Sequence, residues 1–428
     1  MLTRTDLRGY EGDLSAVLPR PSGADPDVVA AVRDIIESVR GRGDTALREL
    51  TKRFDDCVLL ELRVPQEELT RALDRIDPDL RVALEFASDQ ILSYHESQRE
   101  AEAKHERQGV HVRELVVPVD RAGLYVPGGR AAYPSTVLMT AIPARIAGVR
   151  EVVLCVPPDS STGNPPDATL AAAALAGVDE VYRVGGAQAI AAMAYGTESI
   201  RAVDVVVGPG NRYVAAAKRE VQGVVGIESL AAESELAVIA DGSSNPEWVA
   251  ADLLAQAEHG PGGVAVVITW SEEFADAIEA SLAARLEQTT RRLEAEATLL
   301  SGGRLLLVDG AAQAMDVANA IAPEHLQLMS SDAEMLVSDV RNAGAVFCGP
   351  YAPAVVGDYV AGANHVLPTG GTARFASALR VSNFQKRIHV VTLDRDALEH
   401  VAPYVKLLAA SEGLDAHAQS IRVREDRA

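Results

Sequence analysis

The chain has 428 residues, of which 48% are hydrophobic and 4% aromatic, and its formal net charge is −21. This length exceeds what one hydrophobic core usually supports, so it predicts two or more domains. The strong negative charge argues against nucleic acid or an anionic membrane surface as the main partner.

Cysteine usage and the N-terminal sequence indicate a reducing compartment. The three cysteines, Cys57, Cys155 and Cys348, are odd in number, lie far apart and form no CxxC motif. A disulfide framework and a structural cysteine zinc site are therefore both disfavoured. The first residues contain no apolar signal region, and no stretch of about 18 uninterrupted apolar residues occurs. We therefore expect a cytoplasmic protein that does not span a membrane.

The first part of the chain predicts a short arm followed by helices. Residues 1–22 are polar and interrupted by prolines, which is typical of an arm rather than a domain. From Pro26 apolar residues recur at helical spacing as far as the glycines at 41–43. A long helix is expected over residues 79–107, and the charges that crowd its end predict a solvated face.

From residue 110 short apolar strands alternate with helices, which predicts βαβ units and parallel sheets. The fold class is therefore α/β, with two doubly wound, mostly parallel, Rossmann-like domains, an N-terminal arm and a C-terminal helical tail. The boundaries that we expect are 1–22 for the arm, 23–121 with 235–380 for a discontinuous first α/β domain, 122–234 for the second, and 381–428 for the tail.

Three glycine-rich turns follow predicted strands of the second α/β domain, at residues 126–129, 184–186 and 207–210. Ligands of parallel sheets bind at the carboxyl ends of the strands, with phosphate groups at the N-terminus of the next helix. No turn has the sequence GxGxxG, so the dinucleotide fingerprint is absent. Together the turns indicate a phosphate or dinucleotide site, although each one alone is equally well explained as a tight turn.

A predicted helix that begins near Trp248 carries Gln256 and places His259 three residues later, on the same face. The next residues, Gly-Pro-Gly-Gly at 260–263, end the helix and allow a ligand to approach closely. An imidazole and an amide oxygen presented together suit a metal ion, but two ligands do not complete a site. The alternative is a histidine that only satisfies the carbonyls of its own helix end.

Two further groups could perform chemistry. Glu324 and His325 are adjacent, and a carboxylate beside an imidazole can transfer protons near neutral pH. Asp358 lies in an irregular, glycine-rich segment at 351–372, which is long for a loop without a function. The ordinary alternatives are a surface pair and an Asx turn. His417, in the polar C-terminal segment, has the local context of a solvent-exposed histidine.

Six ordered motifs together resemble the histidinol dehydrogenase family. They are GLYVPGG at 123–129, VGGAQAIA at 184–191, GPGNRYV at 208–214, DLLAQAEHGP at 252–261, APEHL at 322–326 and GDYVAGANHVLPT at 357–369. The resemblance covers nearly the whole chain. It implies a zinc-dependent, NAD-linked homodimer with swapped domains. It also implies oxidation of L-histidinol to L-histidine, the last steps of histidine biosynthesis, by two hydride transfers through a bound aldehyde.

The resemblance also implies a role for individual residues. The zinc ligands would be Gln256, His259, Asp358 and His417, the last serving the site of the partner subunit. The acid–base pair would be Glu324 and His325. The substrate contacts would be Ser234, His365 and Glu412, and the NAD contacts Tyr125, Gln188 and Asn211. In such a site a neutral imidazole takes the alcohol proton, and the carboxylate activates the water that hydrates the aldehyde.

One motif departs from the family pattern, which usually has Ala-Gly-Pro-Ser-Glu where residues 231–235 are Ala-Ala-Glu-Ser-Glu. The change removes a flexible and a rigid residue beside the expected substrate serine, and it adds a carboxylate. Glu233 either points to solvent in a tolerated loop variant, or marks a paralogous zinc and NAD dehydrogenase of a different amino or polyol alcohol. A zinc hydrolase with Glu324 as its base and a catalytically inactive relative are two further hypotheses.

Overall fold

The structure is a computed structural model that describes residues 1–18, 25–129, 131–229, 233–260 and 262–425. Its β-strands, in chain order, are β1 (Thr3–Asp6), β2 (Arg63–Val64), β3 (Lys104–Arg107), β4 (Val110–Pro118), β5 (Arg121–Tyr125), β6 (Glu151–Cys155), β7 (Glu180–Tyr182), β8 (Val205–Val207), β9 (Gly226–Ile227), β10 (Glu235–Ala240), β11 (Val264–Thr269), β12 (Gly303–Leu307), β13 (His325–Met329), β14 (Ala345–Cys348) and β15 (Gln385–Thr392). Its α-helices are α1 (Pro26–Asp55), α2 (Gln66–Arg75), α3 (Pro78–Glu96), α4 (Pro134–Ala147), α5 (Asp167–Leu175), α6 (Gly186–Tyr195), α7 (Arg212–Val221), α8 (Pro246–Ala257), α9 (Glu272–Leu286), α10 (Arg292–Gly302), α11 (Ala311–Ile321), α12 (Ala333–Leu336), α13 (Ala354–Tyr359), α14 (Arg395–Ser411) and α15 (Asp415–Glu425).

One sheet has the strand order β2-β7-β6-β5-β8-β9, and its strands are parallel except that β2 pairs antiparallel with β7. Its central strands β5 and β8 are buried throughout, as expected where helices cover both faces. The chain passes from β5 through β6 to β7 and then returns to β8 on the other side of β5. The crevice between β5 and β8 is therefore a topological switch point, where doubly wound sheets bind ligands.

A second sheet has the strand order β1-β12-β11-β10-β13-β14, and every pair is parallel. Alternate residues of β10 pack into hydrophobic cores on opposite faces of the sheet. Leu236 and Val238 lie on one face, and Ala237 and Ile239 lie on the other. This is the two-residue period of a strand covered on both faces. The α/β fold class with mostly parallel sheets is thus confirmed.

The chain divides into two compact units. The first comprises Met1–Gln98 and Val119–Phe384 and contains both six-stranded sheets. The second comprises Arg99–Pro118 and Gln385–Ala428, and in it β4 pairs antiparallel with β3 and β15. None of the described helices is long and apolar enough to cross a membrane. The domain boundaries expected from the sequence stay a prediction.

The start of the chain forms β1, which pairs in parallel with β12 at the edge of the second sheet. One local prediction differs from the structure. The long helix expected over 79–107 ends at Glu96, and its charged end forms β3 instead. Charged residues favour helices only weakly, and pairing with β4 outweighs that preference.

Candidate functional site

The candidate acid–base residues lie at the amino ends of two neighbouring strands. Ser234 and Glu235 stand at the start of β10, and Glu324 and His325 stand at the start of β13, which pairs with β10 in parallel. The strand pairing therefore brings two distant parts of the sequence together. This site occupies the amino edge of its sheet, whereas doubly wound folds usually bind ligands at the carboxyl edge.

Glu324 is buried and held by two hydrogen bonds to its Oε2 atom. Ser234 Oγ donates at 2.6 Å, and the main-chain N–H of Glu235 donates at 2.8 Å. Burial raises the pKa of Glu324, and this effect outweighs the lowering by His325 and by the bond from Ser234. A fixed carboxyl group with a raised pKa is suited to transfer protons near neutral pH.

His325 is buried between two carboxylates. Its Nδ1 donates to the main-chain oxygen of Glu235 at 3.1 Å and lies 3.5 Å from Glu324 Oε2. Its Nε2 lies 3.6 Å from Asp358 Oδ1. Burial lowers the pKa of His325, but Glu324 and Asp358 outweigh this effect and raise it to about 9. Because Nδ1 is engaged by the main chain, Nε2, which faces Asp358, is the nitrogen that is free to exchange a proton.

A small cavity of about 20 Å³ lies beside His325 and is lined by Leu236, Asp252, Ala255, Gln256, His259, His325, Ala354, Val355 and Asp358. Gln256 and His259 come from the C-terminal end of α8, and Asp358 comes from the short helix α13. His259 Nδ1 donates to the main-chain oxygen of Gln256 at 3.2 Å, so Nε2 carries the lone pair available to a ligand. Three of the four expected zinc ligands therefore line one cavity.

The side chain of Gln256 supports a cation in this cavity. Its Nε2 is buried and has no hydrogen-bond partner. Amide oxygen and nitrogen exchange places when the group is flipped, so the unpartnered atom can be an oxygen that accepts from a cation. An amide oxygen, an imidazole and a carboxylate are ligands of the kind that zinc binds. Over the described ranges, no group of three or more His, Cys, Asp and Glu side chains is arranged to hold a metal ion.

The remaining expected site residues of the C-terminal segment belong to the second unit. Glu412 follows α14, and His417 lies in the first turn of α15. Both residues are exposed. Their relation to the cavity residues stays a prediction.

His365, expected as a substrate contact, holds the segment that carries Asp358. Its Nδ1 donates to the main-chain oxygen of Asp358 at 2.8 Å, and its Nε2 lies 3.2 Å from Oγ1 of Thr136. Burial lowers the pKa of His365, so the ring is neutral and accepts the hydrogen of Thr136. The ring thus connects α13 to the first turn of α4.

The three glycine-rich turns lie at the carboxyl ends of β5, β7 and β8. Gly208 has a φ of +122°, and a Cβ atom there would lie 2.0 Å from the main-chain oxygen of Tyr125, so only glycine permits this approach at the switch point. Tyr125 Oη accepts from the main-chain N–H of Gly186 at 3.0 Å. Gln188 is buried in α6, and Asn211 caps α7 by accepting two main-chain hydrogen bonds of 3.0 and 3.2 Å.

Sequence reasoning missed the ion pair behind the Gly208 turn. Lys218 Nζ lies 2.7 Å from Glu228 Oε1, and both side chains are 1% exposed. The same oxygen accepts the N–H of Gly208 at 2.7 Å, and Lys218 donates to the Gly208 oxygen at 3.1 Å. The pair therefore fixes the turn. In the sequence these residues are indistinguishable from surface charges, because only tertiary contacts bury them.

The loop that departs from the family pattern is partly visible. Ala231 and Ala232 lie outside the described residues, whereas Glu233 is exposed. A Cβ atom at Gly262 would lie 2.7 Å from Glu233 Cγ, so the glutamate lies over the loop that follows His259. Glu233 is not one of the described residues that line the cavity. This position favours a tolerated loop variant over a change of substrate.

Comparisons with known proteins point to one family. The histidinol dehydrogenase family model matches residues 18–425. The chain is 47% identical over 418 residues to histidinol dehydrogenase of Rhizobium meliloti, which covers 97% of this chain and 96% of that protein. It is 46% identical over 402 residues to histidinol dehydrogenase of Streptococcus mutans, and the match covers 94% of this chain and 93% of that protein. The crystal structure of histidinol dehydrogenase from Elizabethkingia anophelis matches with a TM-score of 0.94 at 36% identity, covering 99% of this chain and 98% of that one. Because one family accounts for nearly the whole chain in sequence and in structure, this chain belongs to the histidinol dehydrogenase family.

Proposed function

We propose that the chain oxidises L-histidinol to L-histidine through bound histidinal, with NAD as the hydride acceptor and one zinc ion in each site. The observation that carries this proposal is the cavity in which Gln256, His259 and Asp358 lie beside the pair Glu324–His325. Membership of the family supports the same reaction, an oxidation in the final steps of histidine biosynthesis.

The zinc ion would be held by Gln256, His259 and Asp358, with His417 as the fourth ligand supplied to the partner subunit's site. When bound, it would act as a Lewis acid that orients the imidazole and amine of the substrate. With Asp358 engaged as a ligand, His325 loses one of the two carboxylates that raise its pKa. Losing that carboxylate would lower the pKa of His325 and favour the neutral ring that a general base requires.

The acid–base steps fall to His325 and Glu324. Nε2 of His325 would accept the alcohol proton as the carbinol carbon loses a hydride, for which NAD would be the acceptor. Glu324, oriented by Ser234, then takes a proton from the water that adds to the aldehyde carbon. The anionic hydrate formed in this way would lose the second hydride, with another NAD as acceptor, and become the carboxylic acid. The expected substrate contacts Ser234, His365 and Glu412 would hold the intermediate between the two oxidations, because proximity converts both steps into reactions of one bound molecule.

NAD would bind at the switch point between β5 and β8, with Tyr125, Gln188 and Asn211 as its contacts. The close approach of Gly208 to Tyr125 and the glycine turns that precede α6 and α7 support this location, since helix N-termini bind phosphate groups. The absence of GxGxxG agrees with a cofactor that is exchanged between the two oxidations.

The active form would be a homodimer in which the second unit of one subunit completes the site of the other. Helix α14 supports this assembly because Tyr404, Leu407 and Leu408 are each more than 60% exposed. Exposed apolar residues grouped on one helix are typical of a protein interface. Nucleic acid and membranes are not expected as partners, in view of the net charge of −21. A cytoplasmic location fits the three unpaired cysteines.

The test is spectrophotometric. Purified protein with zinc, NAD and L-histidinol should produce two NADH for each histidine, and removal of zinc by a chelator should abolish this activity until zinc is restored. NADH formed with another primary alcohol but not with histidinol would favour the paralogous dehydrogenase. Ester or amide cleavage without NADH would favour a zinc hydrolase that uses Glu324 as its base.

A further inference from the structure

Asp252 lines the cavity but has no role in the expected ligand set. It lies one helical turn before Gln256 on α8, so the two side chains share a face of the helix. Its Oδ2 accepts a hydrogen bond of 2.6 Å from Nε2 of Gln327. Burial raises the pKa of Asp252, and the bond from Gln327 opposes this effect. Asp252 is therefore committed to Gln327, and its position beside the expected metal ligands calls for an explanation.

Gln327 connects the three elements that carry the cavity residues. It is 1% exposed and lies on β13 two residues after His325, on the same face of the strand. Its Nε2 binds Asp252 on α8, and its Oε1 accepts the main-chain N–H of Ala354 at 3.3 Å. Ala354 is the first residue of α13, the helix that carries Asp358. One amide thus links α8, β13 and α13.

This amide holds the first residue of α13, while the bond from His365 holds Asp358 near its end. The helix has six residues, and its N-cap, Pro353, provides no side-chain hydrogen bond. Short helices derive little stability from their own hydrogen bonds, so outside contacts must hold them. A carboxylate can only accept hydrogen bonds, so Asp252 selects the nitrogen of the Gln327 amide and turns its oxygen toward Ala354. Without Asp252 the nitrogen would keep only its contact with Met329 Sδ at 2.9 Å, and a thioether is a weak acceptor, so the orientation of the amide toward Ala354 would be poorly fixed.

We propose that Asp252 and Gln327 are positioning residues that set the place of Asp358 relative to Gln256 and His259, and so prepare the cavity for the metal ion. The inference rests on the metal site proposed above. Partners that orient metal ligands typically contribute about 10- to 100-fold to metal affinity or activity.

The test compares Asp252→Ala, Asp252→Asn and Gln327→Met by zinc affinity in chelator competition and by the visible spectrum of the cobalt(II) protein. Asn at position 252 retains an oxygen that accepts from Gln327, whereas Ala removes it. We expect Asp252→Ala and Gln327→Met to weaken zinc binding by about 10- to 100-fold and to alter the cobalt spectrum. Asp252→Asn should stay close to the unaltered protein. Glu247→Gln, an exposed change on the same helix, is the matched control and should have no effect.

Thermal unfolding of the zinc-free proteins checks that each variant folds. If Asp252→Ala does not fold, Gln327→Met still provides the test. Equal zinc affinity in Asp252→Ala or Gln327→Met and the unaltered protein would overturn the inference. Equal loss in Asp252→Asn and Asp252→Ala would overturn it too, because the carboxylate itself would then bind the metal. His259→Ala separates the two proposals: if it leaves zinc binding unchanged, the metal site and the inference both fail. If it abolishes zinc binding while Asp252→Ala does not, only the inference fails.

Discussion

Oγ of Ser234 donates a 2.6 Å hydrogen bond to Oε2 of Glu324, so a residue expected to contact the substrate also holds the buried carboxylate. This bond lowers the pKa of Glu324, so Ser234→Ala should raise that pKa further. A base loses activity as the pH falls through its pKa, and the acid limb of kcat for histidine formation should therefore move to higher pH. A limb that stays in place would show that Glu324 does not act as the base on the bound intermediate.

Replacement of Glu324 itself tests its chemical role. Glu324→Gln keeps an oxygen that can accept from Ser234 but cannot take a proton. We expect kcat for histidine formation to fall by about 10²- to 10⁴-fold, with zinc content unchanged. Glu334→Gln, an exposed change on α12, is the control. A Glu324→Gln variant that retains full kcat would exclude Glu324 as the base.

Mixed dimers test whether the second unit crosses to the partner. His417→Ala and Glu324→Ala subunits, each inactive alone, should regain activity when unfolded together and refolded, because some hybrid sites then contain both intact residues. Each variant refolded by itself is the control. Mixtures that stay inactive while forming dimers would place His417 in the site of its own subunit.

The buried ion pair behind the Gly208 turn should dominate local stability. Lys218→Met leaves the carboxylate of Glu228 buried without its cation, which should lower the free energy of unfolding by about 3–5 kcal/mol. Adding Glu228→Gln removes the unpaired charge and should recover much of this loss. The exposed pair Arg33–Glu220 provides a control, since Arg33→Met should cost less than about 1 kcal/mol. Urea unfolding measures the stability of all three variants, and similar losses at both pairs would contradict the prediction.

Asp55 should make stability depend on pH. Its Oδ2 is buried without a partner, and burial raises the pKa of Asp55 from 3.8 to about 6. Folding therefore favours the neutral acid. The contribution of Asp55 to the free energy of unfolding is complete below pH 3.8 and is lost as the pH rises through about 6. As the pH rises from 4.5 to 7.5, the free energy of unfolding of the Asp55→Asn variant should increase by about 1–2 kcal/mol relative to that of the unaltered protein, after allowance for partial exposure. A constant difference across this range would contradict the assigned pKa.

The sequence by itself determined the α/β class, the parallel sheets and the family. When short apolar strands alternate with helices, only a few architectures can bury both faces of the resulting sheet. The glycine-rich turns mark where the strands end. The pair Gln256–His259 was visible because residues three apart share a helix face. By contrast, β3 was not foreseen, because a charged segment becomes a strand only when a neighbour supplies hydrogen bonds.

Only the tertiary structure decided which residues surround the site. The pairing of β10 with β13 brings Ser234 within hydrogen-bonding distance of Glu324, although 89 residues lie between them in the chain. Burial turns Lys218 and Glu228 into an internal ion pair and commits Asp252 to Gln327. These contacts depend on distance in space and on the exclusion of water, and neither quantity is encoded in the spacing of residues along the chain.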